Sequence, residues 1–238
     1  MLTVYIGYDK REPIAYEVLE YTIQKYASTP INIHPLKLKT LTNKQLITRP
    51  ITTKDGVMVD LISKMPQSTE FAITRFLTPI IHQSGWAIFM DCDMILMDDI
   101  NKIIPLLDDS KAVMVVKHDY VCNESSKMDH QPQTQYHKKN WSSFIAFNCD
   151  HPSNSKLTLT EINNQRGLWL HQFGWLHDDE IGELSPQWNW LVNVTDKPDD
   201  CIVAHFTLGG PWFENWQEQP YDWMWLDQLE YYQILKNR

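Results

Sequence analysis

Trp86-Ala87-Ile88-Phe89-Met90-Asp91-Cys92-Asp93-Met94-Ile95-Leu96 is the stretch that decides how this chain folds. Residues 87–90 form a short continuous apolar run, the pattern of a strand buried on both faces. The run stops at Asp91, a second carboxylate follows at Asp93, and apolar residues then resume. In open α/β sheets, ligands bind outside the carboxyl ends of the strands. Two hard oxygen ligands at such a position suit Mn²⁺ or Mg²⁺, which also take diphosphate oxygens and water. Asp-x-Asp by itself also describes a solvated turn after a strand. The apolar residues on both sides favour a buried site instead.

Outward from this stretch the pattern repeats. Residues 3–8 read as a β-branched and aromatic strand. Pro13 follows, with Ile14, Val18, Leu19 and Ile23 at helical spacing, so the chain opens strand, loop, helix. Residues 31–36 read as a second strand and residues 37–58 as a long polar loop. Residues 69–83 carry a helical stripe of Phe71, Ile73, Phe76, Leu77 and Ile80, with Pro79 bending or ending it. Further apolar runs at residues 112–116, 143–147 and 202–206 complete the set. The expectation is an α/β fold, a mixed and mainly parallel sheet flanked by helices. Residues 123–140 are polar and read as a loop or lid. No linker divides the chain, so 1–238 is expected to be a single domain, with an aromatic tail from about residue 213 packing beside the acceptor site.

Composition narrows the function. Of 238 residues, 21 are basic and 30 acidic, a net charge of −9, which argues against a duplex nucleic-acid surface. Cys92, Cys122, Cys149 and Cys201 form no CxxC pair, so a zinc ribbon or a disulfide framework is not expected. The opening MLTVYIGYDKRE reads as a strand rather than a leader, and no segment approaches the roughly 20 apolar residues of a membrane span. These features point to a cytoplasmic chain with reduced thiols, free or peripheral to a membrane. The ten tryptophans are read chiefly as core, with some available to line a sugar-binding groove.

With these residues in view, Phe89-Met90-Asp91-Cys92-Asp93 resembles the DXD motif of GT-A glycosyltransferases. Thr69 to Phe76 resembles the helix just upstream of DXD in family-8-like retaining enzymes, whose arginine, here Arg75, helps hold the donor. Ala204-His205-Phe206-Thr207-Leu208-Gly209-Gly210-Pro211-Trp212 is similar to the motif whose histidine completes the metal site. Here the spacing is one residue shorter and the family's lysine is missing. Arg75, Lys64 or the backbone of Gly209 and Gly210 are the candidates to replace that lysine's charge. His205 also stands alone as a ligand candidate, because it ends an apolar run and neutral imidazole binds Mn²⁺ well. The glycines would let backbone N–H groups approach phosphate.

The resemblance extends to three further places, and the motifs run in order over most of the chain. Tyr8, Asp9 and Arg11 fit a nucleotide base and ribose pocket. Ser142 and Ser143 begin a strand similar to the one that lines the donor sugar. Asp178 and Asp179 fall in a block similar to the family's Asp-Gln-Asp. On that match Asp178 contacts sugar hydroxyls, and Asp179 stands near the anomeric carbon as nucleophile or ion-pair stabiliser. An acidic helix start is the alternative for both.

The resemblance therefore implies a metal-dependent, hexosyltransferase-like enzyme of GT-A fold. It would use Mn²⁺ or Mg²⁺ held by Asp91, Asp93 and His205, and a nucleotide-sugar donor, UDP-sugar before others, with retention. The acceptor would be a hydroxyl on a glycan, lipid headgroup or other compound. Two rivals remain at this stage: a metal phosphohydrolase with Asp91 as nucleophile, and a non-catalytic carbohydrate-binding protein built on the tryptophans.

Overall fold

The computed structural model describes residues 1–54, 56–119, 126–127, 131–132 and 137–237. Cys122 and most of the polar segment at 123–140 lie outside the described residues; its end, 137–140, is a turn.

Six strands form the central sheet in the order Ile181–Leu184, Val113–Val116, Phe144–Asn148, Trp86–Met90, Thr3–Tyr8, Asn32–Lys37. Every pairing is parallel except those of Phe144–Asn148, which runs antiparallel to both neighbours. The sheet is thus mixed and mainly parallel, with helices against it, as the uninterrupted apolar runs imply. Trp86–Met90 lies at its centre, with Ala87, Ile88, Phe89 and Met90 all without solvent exposure.

Residues 202–206 behave differently from expectation. Val203–His205 is a strand, but it belongs to a separate three-stranded sheet with Trp190–Leu191 and Met94–Leu96. The two sheets meet at the Asp91–Asp93 turn, because Trp86–Met90 ends in one and Met94–Leu96 begins the other. The helix Pro13–Tyr26 braces the second sheet: the Thr22 hydroxyl accepts a 3.1 Å bond from the Leu96 N–H.

Two further segments depart from the sequence expectation. Residues 37–58 are not a plain loop: they hold the helix Leu38–Asn43 and the strands Ile51–Lys54 and Val57–Asp60, which join Met65–Gln67 in an antiparallel sheet. Ile51–Lys54 is mostly exposed and polar, and the apolar part of Val57–Asp60 is only three residues long, too short a run to mark a strand. Residues 69–83 form one short 3-10 turn, Thr74–Leu77, and the helix Thr78–His82 rather than a long helix. Pro79 has no N–H to give to a preceding turn, and it sits at the start of the short helix, where none is needed.

The C-terminal helix Asp222–Lys236 packs on Pro13–Tyr26. Met224 and Trp225 are buried there with Val18, Ile95 and Trp190, and Lys25 Nζ donates to Gln228 Oε1 at 2.8 Å. Trp188, Trp190 and Trp225 are among the largest fully buried side chains, as the core assignment for most tryptophans anticipated.

Candidate metal centre and its cavity

The Asp-x-Asp turn is fixed from both sides. The Asp91 N–H donates to Ser143 O at 2.9 Å, in the central sheet. The Asp93 carbonyl accepts from the Phe206 N–H at 2.8 Å, in the second sheet. At this turn Cys92 enters the core, without solvent exposure, while Asp91 and Asp93 both line a cavity of about 410 Å³. The register His205↔Met94 then brings His205 to the same place. One ligand atom from each of Asp91, Asp93 and His205 falls within 4.8 Å of the others, and all three residues are buried.

His205 is held in a defined orientation. Its Nδ1 lies 2.9 Å from Asn189 Oδ1, and its Nε2 lies 3.3 Å from Asp93 Oδ1. Asn189 Nδ2 donates to Ser143 Oγ at 2.8 Å, which identifies its other side-chain atom as the acceptor facing the imidazole. Nδ1 therefore carries the ring proton. Nε2 and a carboxylate oxygen then converge, an arrangement suited to sharing a metal ion. The residue types and their burial fit a small divalent ion with mixed nitrogen and oxygen ligands.

Arg75 sits beside this set. Its guanidinium lies 2.9 Å from Asp91 Oδ1, donates to Ser142 O at 2.6 Å, and rests against the Phe71 and Phe89 rings. Ser142 Oγ is 2.8 Å from His171 Nδ1. Arg75, Ser142, Ser143 and His171 all line the cavity with the carboxylates.

The other sequence candidates are placed elsewhere. The Asp9 carboxylate accepts from Arg11 N at 2.9 Å, from Arg11 Nε at 3.0 Å and Nη2 at 2.7 Å, and from the Glu70 N–H at 3.0 Å. Burial would raise its pKa, but the Arg11 hydrogen bonds and charge, with the Glu70 N–H, hold it below the ordinary value. Arg11 also donates to Ser68 O. This pair ties the first strand to residues 68–70, next to Gly7, where an added Cβ would lie 2.5 Å from the Phe71 ring. Tyr8 packs edge-on against Tyr16 and beneath Lys37 Nζ. Neither Asp178 nor Asp179 lines the cavity: both are exposed, and Asp178 pairs with Lys138 at 2.6 Å.

Both glycines lie against tryptophan rings. Gly209 has φ 140°, its N–H is donated to Phe206 O at 2.9 Å, and an added Cβ would lie 2.6 Å from the Trp216 ring. An added Cβ at Gly210 would lie 2.0 Å from the Trp212 ring. Lys64 is exposed and outside the cavity lining.

Protein CDI of Arabidopsis thaliana is 40% identical to this chain over 235 residues, 96% of this chain and 86% of that protein. The chain belongs to the family of Protein CDI. No protein-family model matches it. Solved structures that this CDI-family chain resembles include glycosyltransferases. GlyE of Streptococcus pneumoniae TIGR4 superposes with a TM-score of 0.59 at 11% identity, over 96% of this chain and 61% of that one. The galactosyltransferase LgtC, solved with donor and acceptor sugar analogs, gives 0.57 at 10% identity, over 96% and 95%. WbbM, a bifunctional glycosyltransferase, gives 0.55 at 15%, over 95% and 51%. The CDI-family chain thus spans about half to three fifths of GlyE and WbbM, and nearly all of LgtC. Its fold is GT-A, as the order of motifs in the sequence implied. No helix among the described residues is long and apolar enough to cross a membrane.

Several cavity residues of this CDI-family chain escaped the sequence reading. Lys139 and Asn140 stand on a turn, Arg166 and His171 at the two ends of a short helix, and Asp60 at the end of a mostly half-buried strand. None of these carries a periodicity that would mark it. Asn189 was visible only as part of a Trp-Asn-Trp string.

Proposed function

We propose that this chain is a metal-dependent glycosyltransferase that moves a sugar from a nucleotide donor to an acceptor hydroxyl. The observation that carries the reading is the convergence of Asp91, Asp93 and His205 within 4.8 Å, with Asp91 and Asp93 lining a cavity, in a GT-A fold. A divalent cation held by these three supplies charge neutralisation for the departing diphosphate. Arg75 holds the Asp91 carboxylate in place, and Asn189 fixes the His205 ring so that Nε2 faces the set. Ser142 and Ser143 place hydroxyls beside the donor sugar. The bond from the anomeric carbon to the diphosphate oxygen breaks, the acceptor oxygen bonds that carbon, and the acceptor's proton passes to the released diphosphate. UDP-sugars, and retention at the anomeric carbon, are the reading that the sequence resemblance supports.

The test is a thermal-shift screen of UDP-, GDP-, CMP- and dTDP-sugars with and without Mn²⁺. A ligand at about 100 times its Kd stabilises by roughly 2.7 kcal/mol, a rise on the order of 5–10 °C for a chain of this size. A rise seen with Mn²⁺ and one donor class, and absent in Asp93→Ala, supports the transferase and names the donor. No rise with any donor in the presence of Mn²⁺ rejects it.

A further inference from the structure

Lys139 is the one lysine among the described residues that is buried, at 8% exposure, and it lines the cavity with Asp91 and Asp93. Lysine ordinarily keeps its ammonium in water, so burial at a cavity wall calls for a reason. The backbone on either side adds to it. Lys138 has φ 64° and Asn140 has φ 62°, both in the left-handed region that side-chain-bearing residues seldom adopt. Strain of this kind persists only where the surroundings impose it, and it gathers at ligand sites.

The surroundings here are explicit. The Asn140 carbonyl accepts from Ser143 Oγ at 2.7 Å and from Asn189 Nδ2 at 3.4 Å. The Lys138 carbonyl accepts from the Trp141 N–H at 3.2 Å. Lys138 Nζ is clamped by Asp178 at 2.6 Å and by Gln172 O at 3.2 Å. Asn189 and Ser143, which orient His205, thus also hold the turn that presents Lys139.

We propose that Lys139 is a donor-binding residue whose ammonium takes up charge of the nucleotide diphosphate beside the metal set. The assignment rests on the transferase reading. Two carboxylates and a diphosphate bring more negative charge into the cavity than one divalent cation and Arg75 offset, and Arg75 is already engaged with Asp91 and Ser142 O. Two of the alternatives are engaged or remote: Lys64 is exposed and outside the lining, and the Gly209 N–H is donated to Phe206 O. A compact ammonium is well suited to phosphate oxygens.

The experiment is calorimetric titration of the full chain with Mn²⁺ present, using UDP, GDP and dTDP against the matching monophosphates. Wild type, Lys139→Met and Lys139→Arg are compared, with melting curves confirming that each is folded. The expected result is a loss of about tenfold or more in diphosphate affinity for Lys139→Met. Lys139→Arg should lose less, and monophosphate affinity should change less than diphosphate affinity. Equal diphosphate affinity in wild type and Lys139→Met overturns the assignment and leaves the transferase reading standing. An equal loss for mono- and diphosphates overturns it too, because the effect is then on the pocket as a whole. A wild-type chain that binds no nucleoside diphosphate overturns both.

Discussion

His205 and Asn189 form a buried pair, with Nδ1 of the imidazole 2.9 Å from the amide oxygen, and this contact decides which ring nitrogen faces Asp93. A partner of this kind on a metal-ligating histidine fixes the tautomer and raises ligand basicity. Asn189→Ala is therefore expected to weaken Mn²⁺ binding by roughly 10- to 100-fold, read from free Mn²⁺ by electron paramagnetic resonance. Asn189→Asp, which keeps an acceptor at the same place, should retain more affinity than Asn189→Ala. Equal Mn²⁺ affinity in wild type and Asn189→Ala would show that the contact serves packing alone.

Arg75 makes the opposite kind of contribution to the same centre. Its charge lies 2.9 Å from Asp91, with side-chain exposures of 6% and 12%, so removing it leaves a carboxylate in the wall without its cation. Breaking a buried pair from one side costs about 3 kcal/mol or more. Arg75→Met should lower Tm in the absence of metal, and Mn²⁺ should restore part of the loss, because a bound cation takes over the charge. The Mn²⁺-induced rise in Tm should accordingly be larger in Arg75→Met than in wild type. A rise of equal size would separate Arg75 from the metal set.

The grouping of Asp91, Asp93 and His205 as a candidate metal set was legible in the sequence because each member interrupts or ends an apolar strand. Asp91 ends the central strand, Asp93 opens the next, and His205 ends a third. A carboxylate at the end of a buried run contradicts the run, and that contradiction is the signal. The mixed, mainly parallel α/β sheet was legible for the same reason, from runs too apolar to have a wet face, whereas the GT-A fold came from the resemblance and order of the motifs. The edge strand Ile181–Leu184 was not, since Gly182 and Glu183 break its pattern. Nor were Lys139, Asn140 and His171, whose proximity to the carboxylates is created by turns rather than by periodicity. Asp9 shows the converse: a promising residue type whose oxygens are engaged with Arg11 and the Glu70 N–H.

Asp178 and Asp179 give a direct contrast between motif and geometry. Asp178 is 85% exposed in its side chain and paired with Lys138, and the Asp179 carbonyl accepts from Lys111 at 2.8 Å. Exposed ion pairs contribute under about 1 kcal/mol. Asp179→Asn should therefore alter turnover by less than about fivefold, and Asp178→Asn should alter stability by less than that same amount. Asp91→Asn should abolish most turnover in the same assay. Loss of nearly all turnover in Asp179→Asn, with Mn²⁺ and donor binding intact, would return that residue to the reaction centre.

The acid limit of stability is expected to depend on Asp60. Its carboxylate takes Arg49 Nε at 2.9 Å and Nη2 at 2.6 Å, with the N–H groups of Ile62 and Ser63 at 3.1 Å each and the Ser63 hydroxyl as well. Arg49 in turn donates to Ile162 O at 2.9 Å, and Ser63 Oγ accepts from the Gly167 N–H at 2.7 Å. This cluster fixes one wall of the cavity to the helices behind it. Burial raises the Asp60 pKa, but the hydrogen bonds from Arg49 and Ser63 and the Arg49 charge outweigh it and hold the carboxyl below its ordinary value. A depressed folded pKa gives stability that is fully present above the unfolded value of about 4 and is lost as pH falls through the lower, folded one. Asp60→Asn leaves Arg49 buried without its counter-charge, at a cost of about 3 kcal/mol near neutral pH. For a chain of this length that is a Tm lower by roughly 6–12 °C. The gap between wild type and Asp60→Asn should narrow as the pH is taken from about 7 to below about 4, because wild type then loses what the variant already lacks. A gap of constant width across that range would mean that the Asp60 charge contributes nothing and that the variant's loss is one of shape.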